Sequence, residues 1–430
     1  MTGKERCGRV LAAVVLAGAM GRTGLADDAP AAAPKTLEQR VQDIEQKIDQ
    51  SNPAATLGVS IHGLAAVDYL YDINRPSNSG APFLRTFEDK SNSFILNLGN
   101  LHFERASKDG LGFVSDVDFG ETANVVNNAT YFGRGFDANG NPVLGNGTDF
   151  FDVRQFYITY TIPVGSGIKI QAGRFVTLHG AEVIKSYNNI NYNITNSILF
   201  GFAIPFTHTG IMGTYAFTDQ LSMSLGLVNG WDNVADNNDG KSVHGMFNWT
   251  PDPKLSFSIS GTYGPEQSTH QVTDNLGNTL TVHAGRSKRL MLTPLITIKP
   301  TDQATFIIDY NYGNESDVEP RDGLLRTAQW QGVAGYAIYA FTDSLSGTLR
   351  GEVFDDGGGT RTLGTSVAGD GRSATYWEFT PTVSYKLADG LFWRNEFRHD
   401  EASRKVFPIH TASGSARGQD TLATELIYSF

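Results

Sequence analysis

The sequence predicts an all-β chain, a transmembrane antiparallel up-and-down β-barrel of about 16 strands preceded by a short N-terminal helix. Three observations predict it. From Leu57 onward the dominant hydrophobic period is two. Tight turns and long polar stretches alternate along the chain. The last strand ends on an aromatic residue, Phe430, that shares an apolar face with Leu422, Thr424, Leu426 and Tyr428. Composition agrees: 430 residues are 40% hydrophobic and 18% charged, with 47 glycines. That is too apolar for a disordered chain. The longest apolar run, Val10 to Met20, is too short for a spanning helix, which needs about 20 residues.

Residues 1–26 read as a secretory signal peptide. Lys4, Arg6 and Arg9 precede the apolar run, and Gly24-Leu25-Ala26 forms a small-residue cleavage site. Cys7, the only cysteine, lies within it, so the mature chain has neither disulfide nor cysteine metal cluster. An exported, acidic, cysteine-free chain suits the bacterial outer membrane, and the net charge of −11 argues against nucleic acid as a partner.

Residues 27–56 begin as an Ala/Pro-rich linker. Leu37, Val41, Ile44 and Ile48 then repeat as a seam of about two heptads, ended by Pro53. Two readings stand: a frayed amphipathic helix at the barrel rim, or a small coiled coil joining subunits.

The barrel is expected over 57–430. Leu255, Phe257 and Ile259 alternate with Ser256, Ser258 and Ser260, and Leu345, Gly347, Leu349 and Val353 alternate with Ser346, Thr348, Arg350 and Glu352. Successive side chains of a strand point to opposite faces, so one face is apolar and the other polar. Short turns fall at 106–110, 163–166, 218–220, 251–253, 300–302, 342–343 and 388–390. Between them lie long stretches near 71–91, 121–148, 176–206, 230–241, 265–285, 314–326, 355–371 and 400–418. In lipid every backbone donor and acceptor must be paired, so only a closed sheet can span. Tyr160, Phe217, Trp249, Phe341, Tyr385 and Phe392, near the turns, are expected to form an interfacial girdle. Tyr428 and Phe430 are read as the C-terminal assembly signal, engaging the barrel-assembly machinery.

At this point the chain resembles the β-barrel porin-2 (OmpL-like) family over roughly residues 57–430. The most specific stretches are Gly173 to Ile184, Phe200 to Gly210 and Val228 to Asn233. The resemblance implies an outer-membrane pore-forming barrel, with no defined substrate and no catalytic residues. The 37–48 heptads lie outside the family pattern.

A 16-stranded barrel leaves an aqueous channel. Alternation places His62, Asp68, Asp116, Asp118, Asp309, Arg350, Glu352, Glu378, Lys386, Arg394, Glu396, Arg398 and Glu425 on the pore lining. The opposite parity would put charges in lipid, at about 2–4 kcal/mol for each Arg or Lys near the midplane. Cations (Arg350, Arg394, Arg398) on one wall and anions (Asp116, Asp118, Asp309) elsewhere suggest a transverse field; a merely solvated polar lining is the plainer alternative. The third long loop, 176–206, carries His179, Glu182, Lys185, Tyr187 and Tyr192, and Ile198-Leu199-Phe200 is too apolar for a solvated loop. By fold analogy its 180–200 portion narrows the pore; the alternative is a lid or subunit latch.

Asp236 to Gly240 resembles a calcium loop, but Ala235 and Met246 stand where ligands are needed, so an Asx turn is preferred. No Gly-x-Ser-x-Gly occurs and the nine histidines lack paired metal spacing, so no catalytic residue, metal or cofactor is assigned. The functional expectation is a porin for passive diffusion of small polar solutes or ions. The competing class is a closed barrel acting through its loops as an anchor or adhesin. Outer-membrane lipid is the expected surroundings, and the heptads, with the habit of 16-stranded porins, point to a homotrimer.

Overall fold

The computed structural model describes residues 57–430, apart from 77–81, 89, 107–109, 130–133, 137–141, 145–149, 274–276, 284, 319–324, 363–371 and 411–413. The expected signal peptide, linker and N-terminal helix lie outside the described residues.

Sixteen strands close into one antiparallel barrel. They are β1 (Ser60–Asp72), β2 (Ser93–Arg105), β3 (Leu111–Phe119), β4 (Phe151–Ile162), β5 (Ile168–Val176), β6 (Thr207–Thr218), β7 (Leu221–Val228) and β8 (Ser242–Asp252). The second half comprises β9 (Leu255–Pro265), β10 (Lys288–Ile298), β11 (Ala304–Val318), β12 (Arg326–Ala340), β13 (Leu345–Asp356), β14 (Ala374–Ala388), β15 (Leu391–Ala402) and β16 (Gly418–Ser429). Each strand pairs with its neighbour in sequence, and β16 closes on β1 from Leu64 opposite Ser429 to Asp72 opposite Thr421. Phe430 extends the seam: its N–H donates to Gly63 O and its carbonyl accepts from Gly63 N, both at 2.9 Å. The Phe430 ring lies over Gly63, so a side chain added there would push the ring aside.

The alternation of the sequence becomes two faces. Leu349, Val353, Leu422 and Leu426 are exposed on the outside, while Arg350, Glu352 and Glu425 are buried within. Tyr160, Phe217, Trp249, Phe341 and Tyr385 are exposed near the turns, as a girdle requires. Phe392 is not in that belt. It shares parity with Arg394 and packs inward against the cluster of Leu64, Ala66, Leu98 and Ile427; Trp393, one residue on, is exposed instead. Phe94, Phe119, Phe151, Tyr263 and Trp377 are exposed near the opposite ends of their strands, giving a second belt at the loop side.

The long connections hold more structure than their composition announces. The second loop opens with a short helix, α1 (Glu121–Ala129), tied to β2 by Thr122 Oγ1 donating to Asn97 Oδ1 at 2.8 Å. Its nine residues are too few to show as a helical period in the sequence. The fifth loop carries a hairpin, His270–Thr273 with Thr279–Val282. The sixth is shorter than expected, since β11 and β12 pair on from Glu315 opposite Ala328 to Val318 opposite Arg326. Asp236 to Gly240 forms the preferred Asx-type turns: Asn238 N donates to Asp236 Oδ1 and Gly240 N to Asn238 Oδ1.

The outer face sets a stability prediction. Leu349→Arg places a charge in mid-strand against lipid and should destabilise the folded barrel by about 2–4 kcal/mol, read from urea unfolding in liposomes.

Candidate functional site

The third long loop, residues 177–206, lies against the inner wall of the barrel and crosses it. It leaves β5 with His179 wedged between β9 and β10, hydrogen-bonded to Thr262 Oγ1 at 2.8 Å and Thr293 Oγ1 at 2.9 Å. Gly180 (φ +80) turns the chain so that Ala181 N donates to Asp309 Oδ2 of β11 at 2.8 Å. The chain then reaches the far wall, where Arg154 of β4 donates to the carbonyls of Ile184 and Lys185. Lys185 Nζ meets Glu425 of β16 at 2.5 Å. Tyr187 stacks on His62 of β1 with ring centroids 4.3 Å apart.

The return path is fastened by β13–β15. Arg394 donates to Ile190 O and Asn191 O at 3.1 and 2.9 Å. Glu396 accepts from Ile194 N at 2.7 Å and Thr195 N at 3.0 Å, and Glu352 accepts from Ile198 N at 3.0 Å. Arg350 and Arg398 donate to the carbonyls of Thr195 and Asn196. A single wide helical turn, Leu199–Ala203, follows. Its apolar residues pack with Ile198, Ile204 and Phe206 against Trp330, Phe354 and Tyr376 of the wall and Leu84 and Phe87 of the first loop. This accounts for the apolar run Ile198-Leu199-Phe200. At Gly201 the first loop comes so close that a Cβ would sit 2.0 Å from Thr86 Oγ1.

Arg350, Glu352, Glu378, Arg394, Glu396, Arg398 and Glu425 are buried against the loop, and few of these groups meet open water. Arg350 pairs with Glu378 and with Glu182, both at 2.7 Å. Arg398 pairs with Asp400 at 2.8 Å, and Arg394 with Glu425. Asp116 hydrogen-bonds His102 at 2.9 Å and lies 3.5 Å from Arg154, which is 3.4 Å from Asp118. Cations and anions thus neutralise one another along one wall instead of facing each other across the lumen. Glu182 accepts from Arg350, Tyr336, Asn196 and Ser197, and so ties the loop to itself and to two strands. Lys386 is the exception: it stands at the turn rim, half-exposed, paired with Asp389 at 2.8 Å. Tyr192 is 45% exposed and Asn188 and Asn189 are exposed beside it.

Several participants lie beyond the set read from sequence. Arg154 and Asp152 of β4, Arg174 of β5 and His102 of β2 follow from the same parity rule. Arg85, in the first loop, reaches Asp400 at 2.6 Å and gave no periodic signal. His208 and His244 join the loop's His179 in a buried group, with ring centroids 5.3 Å (His179 to His244) and 4.2 Å (His208 to His244) apart. Their burial shows only once the loop is in place.

Among the described residues, two sizeable cavities lie beside the loop. The larger, about 760 Å³, opens at the turn side between the loop tip and the walls from β8 to β15. The smaller, about 370 Å³, lies against β2–β5 near His102, Asp116 and Gln155. Both are bounded by Glu182, Asn188 and Asn189.

A family model described as "Putative beta-barrel porin-2, OmpL-like" matches residues 58–430. The chain belongs to this family. It is an outer-membrane β-barrel with the strand number and closure of porins. Solved structures of similar fold include a loop-deletion mutant of OmpT from Vibrio cholerae, at TM-score 0.52 and 13% identity, covering 86% of this chain and 99% of that one. An anion-selective porin from Comamonas acidovorans gives 0.51 at 11% identity, with 86% and 99% covered. OprB of Pseudomonas putida gives 0.52 at 9% identity, with 89% and 97% covered. These identities establish shared fold alone. No curated protein matches the chain.

Two expectations follow for the loop bodies. Glu396→Ala leaves the buried N–H groups of Ile194 and Thr195 without an acceptor, at about 1–3 kcal/mol each. The third loop should then become cleavable between 184 and 196 in limited proteolysis of the folded barrel. At the loop-side mouth, Glu266 accepts from Trp231 N and Ser242 Oγ, both at 2.7 Å, and burial pushes its carboxyl from 4.5 up to about 7. The folded barrel then holds this proton more tightly than the unfolded chain. The stabilisation is full below pH 4.5, falls as pH rises, and is gone above about pH 7. The urea midpoint of the native barrel should show that fall, and Glu266→Gln should flatten it.

Proposed function

We propose that the barrel is an outer-membrane channel for passive diffusion of small polar solutes or ions, with residues 180–200 forming its constriction. The observation that carries this reading is the third loop itself, fastened across a lumen too wide for wall side chains to fill, with a cavity of about 760 Å³ left beside it. A barrel serving only as an anchor needs no such lumen, since about eight strands suffice to span. The proposed lining is the inner-face set named above, and Tyr187, Tyr192, Glu182, Lys185 and His179 belong to the proposed constriction.

Export by cleavage of the 1–26 signal and assembly through Tyr428 and Phe430 complete the reading. A homotrimer is supported by the heptads at 37–48.

Planar-bilayer recording tests the channel. The folded barrel should give ohmic conductance steps, and deleting 184–196 should raise the step size severalfold. Unchanged conductance after the deletion would show that the constriction lies elsewhere. Silence of the intact barrel would favour the anchor.

A further inference from the structure

We infer that the turn-side cavity is a binding site for a neutral, polyhydroxylated solute, a short oligosaccharide, with the Tyr192 ring as its stacking platform. The inference rests on the channel reading and assigns that channel a class of substrate.

The argument begins with what the cavity offers a visitor. Its walls present the hydroxyls of Ser256, Thr297, Ser346, Thr348 and Ser384. The loop tip adds the exposed amides of Asn188 and Asn189, whose oxygens each accept one bond, from Ser186 Oγ and Asn191 N, and keep a second lone pair. A hydroxyl both donates and accepts, and a primary amide carries donor and acceptor side by side. Sugar hydroxyls have the same double character. A carboxylate or phosphate could use only the donors of such a wall, and a metal cation only its acceptors.

The charged groups at the inner end of the cavity are committed elsewhere. Glu182 already accepts from Arg350, Tyr336, Asn196 and Ser197. Arg394 is paired with Glu425 and donates to the carbonyls of Ile190 and Asn191. Lys254 and Lys299 stand exposed at the mouth, where solvent and salt screen them. What remains unspent inside is neutral.

Tyr192 supplies an exposed aromatic face, beside the aliphatic side chains of Leu255, Leu295 and Ile307. It is 45% exposed although it sits within the barrel, between Asn191, whose amide is spent on Val183, and Asn193, which is buried on Thr382. Both neighbours fix the backbone and leave the ring presented to the cavity it lines. An aromatic face flanked by hydroxyls and amides suits a pyranose, whose faces carry C–H groups and whose rim carries hydroxyls. The volume, about 760 Å³, falls in the roughly 300–1,000 Å³ range of small-molecule sites.

The test uses the full barrel and raffinose, a neutral trisaccharide, as the probe. In planar bilayers raffinose should block the KCl current saturably, and more readily when added from the turn side. Tyr192→Ala should raise the half-blocking concentration about fivefold relative to that variant's own conductance. Tyr192→Phe, which keeps the ring, should block as the native barrel does. Block by gluconate but not by raffinose would assign the cavity to anions and overturn the inference. Ohmic conductance without block by either would overturn it while leaving the channel reading intact. Calorimetric titration of the detergent-folded barrel decides the matter even if it does not conduct. Saturable raffinose binding weakened by Tyr192→Ala would support the site, and absence of heat would refute it.

Discussion

A segment of backbone laid inside a barrel brings donors and acceptors that no strand can pair, and this structure is organised around meeting that demand. The walls of a closed barrel have already spent their own N–H and C=O groups on each other. The third loop must therefore be satisfied by wall side chains. Carboxylates take its N–H groups: Asp309 at Ala181, Glu396 at Ile194 and Thr195, Glu352 at Ile198 and Leu199. Arginines take its carbonyls: Arg154, Arg394, Arg350 and Arg398. Because both signs are needed along the same path, the wall charges also neutralise one another. The ion pairs are thus a consequence of holding a peptide, and breaking one partner would strand the other in a buried site.

The same demand explains the asymmetry of the lumen. Charged residues concentrate on β1, β3, β4 and β13–β16, where the loop descends and returns. The walls of β9, β10 and the turn-side half of β13 carry Ser and Thr instead. The apolar part of the loop finds an apolar wall, Trp330, Phe354 and Tyr376, at the loop side, and the first loop covers it with Leu84 and Phe87. The filled half and the hollow half of the barrel thus differ in chemistry, and the hollow half is the neutral one.

How far this was legible in the sequence depends on which force fixed each feature. Lipid outside allows only apolar faces, so parity, strand number and the inward aim of Arg350, Arg394 and Glu425 could be read from alternation. Gly63 and Phe430 show the limit of that rule: the seam they form is a contact between chain ends, invisible to any local period. Phe392 lies near a turn, as girdle residues do, but its parity with Arg394 decides its inward aim. The length and the Ile198-Leu199-Phe200 run marked the third loop as packed, yet its partners lie more than a hundred residues away in Trp330 and Phe354. Arg85 was unreadable for the same reason, since a loop residue has no period and its partner, Asp400, is distant in the chain.

Charge on the lining and charge felt by a solute are consequently different quantities in this barrel. Counting ionisable residues by parity suggests opposed walls and a strong transverse field. The structure places Arg350, Arg394 and Arg398 each against a carboxylate, so their fields cancel over distances comparable to the pairs themselves. A solute in the turn-side cavity sits beyond the loop tip from most of these pairs and meets hydroxyls, amides, the exposed Tyr192 ring and a few apolar side chains. Discrimination in such a space rests on shape and on the count of satisfied hydrogen bonds, because a group that displaces water without replacing its bonds loses affinity. The loop thereby does more than narrow the lumen: by drawing the wall charges onto its own backbone, it leaves the remaining passage chemically neutral.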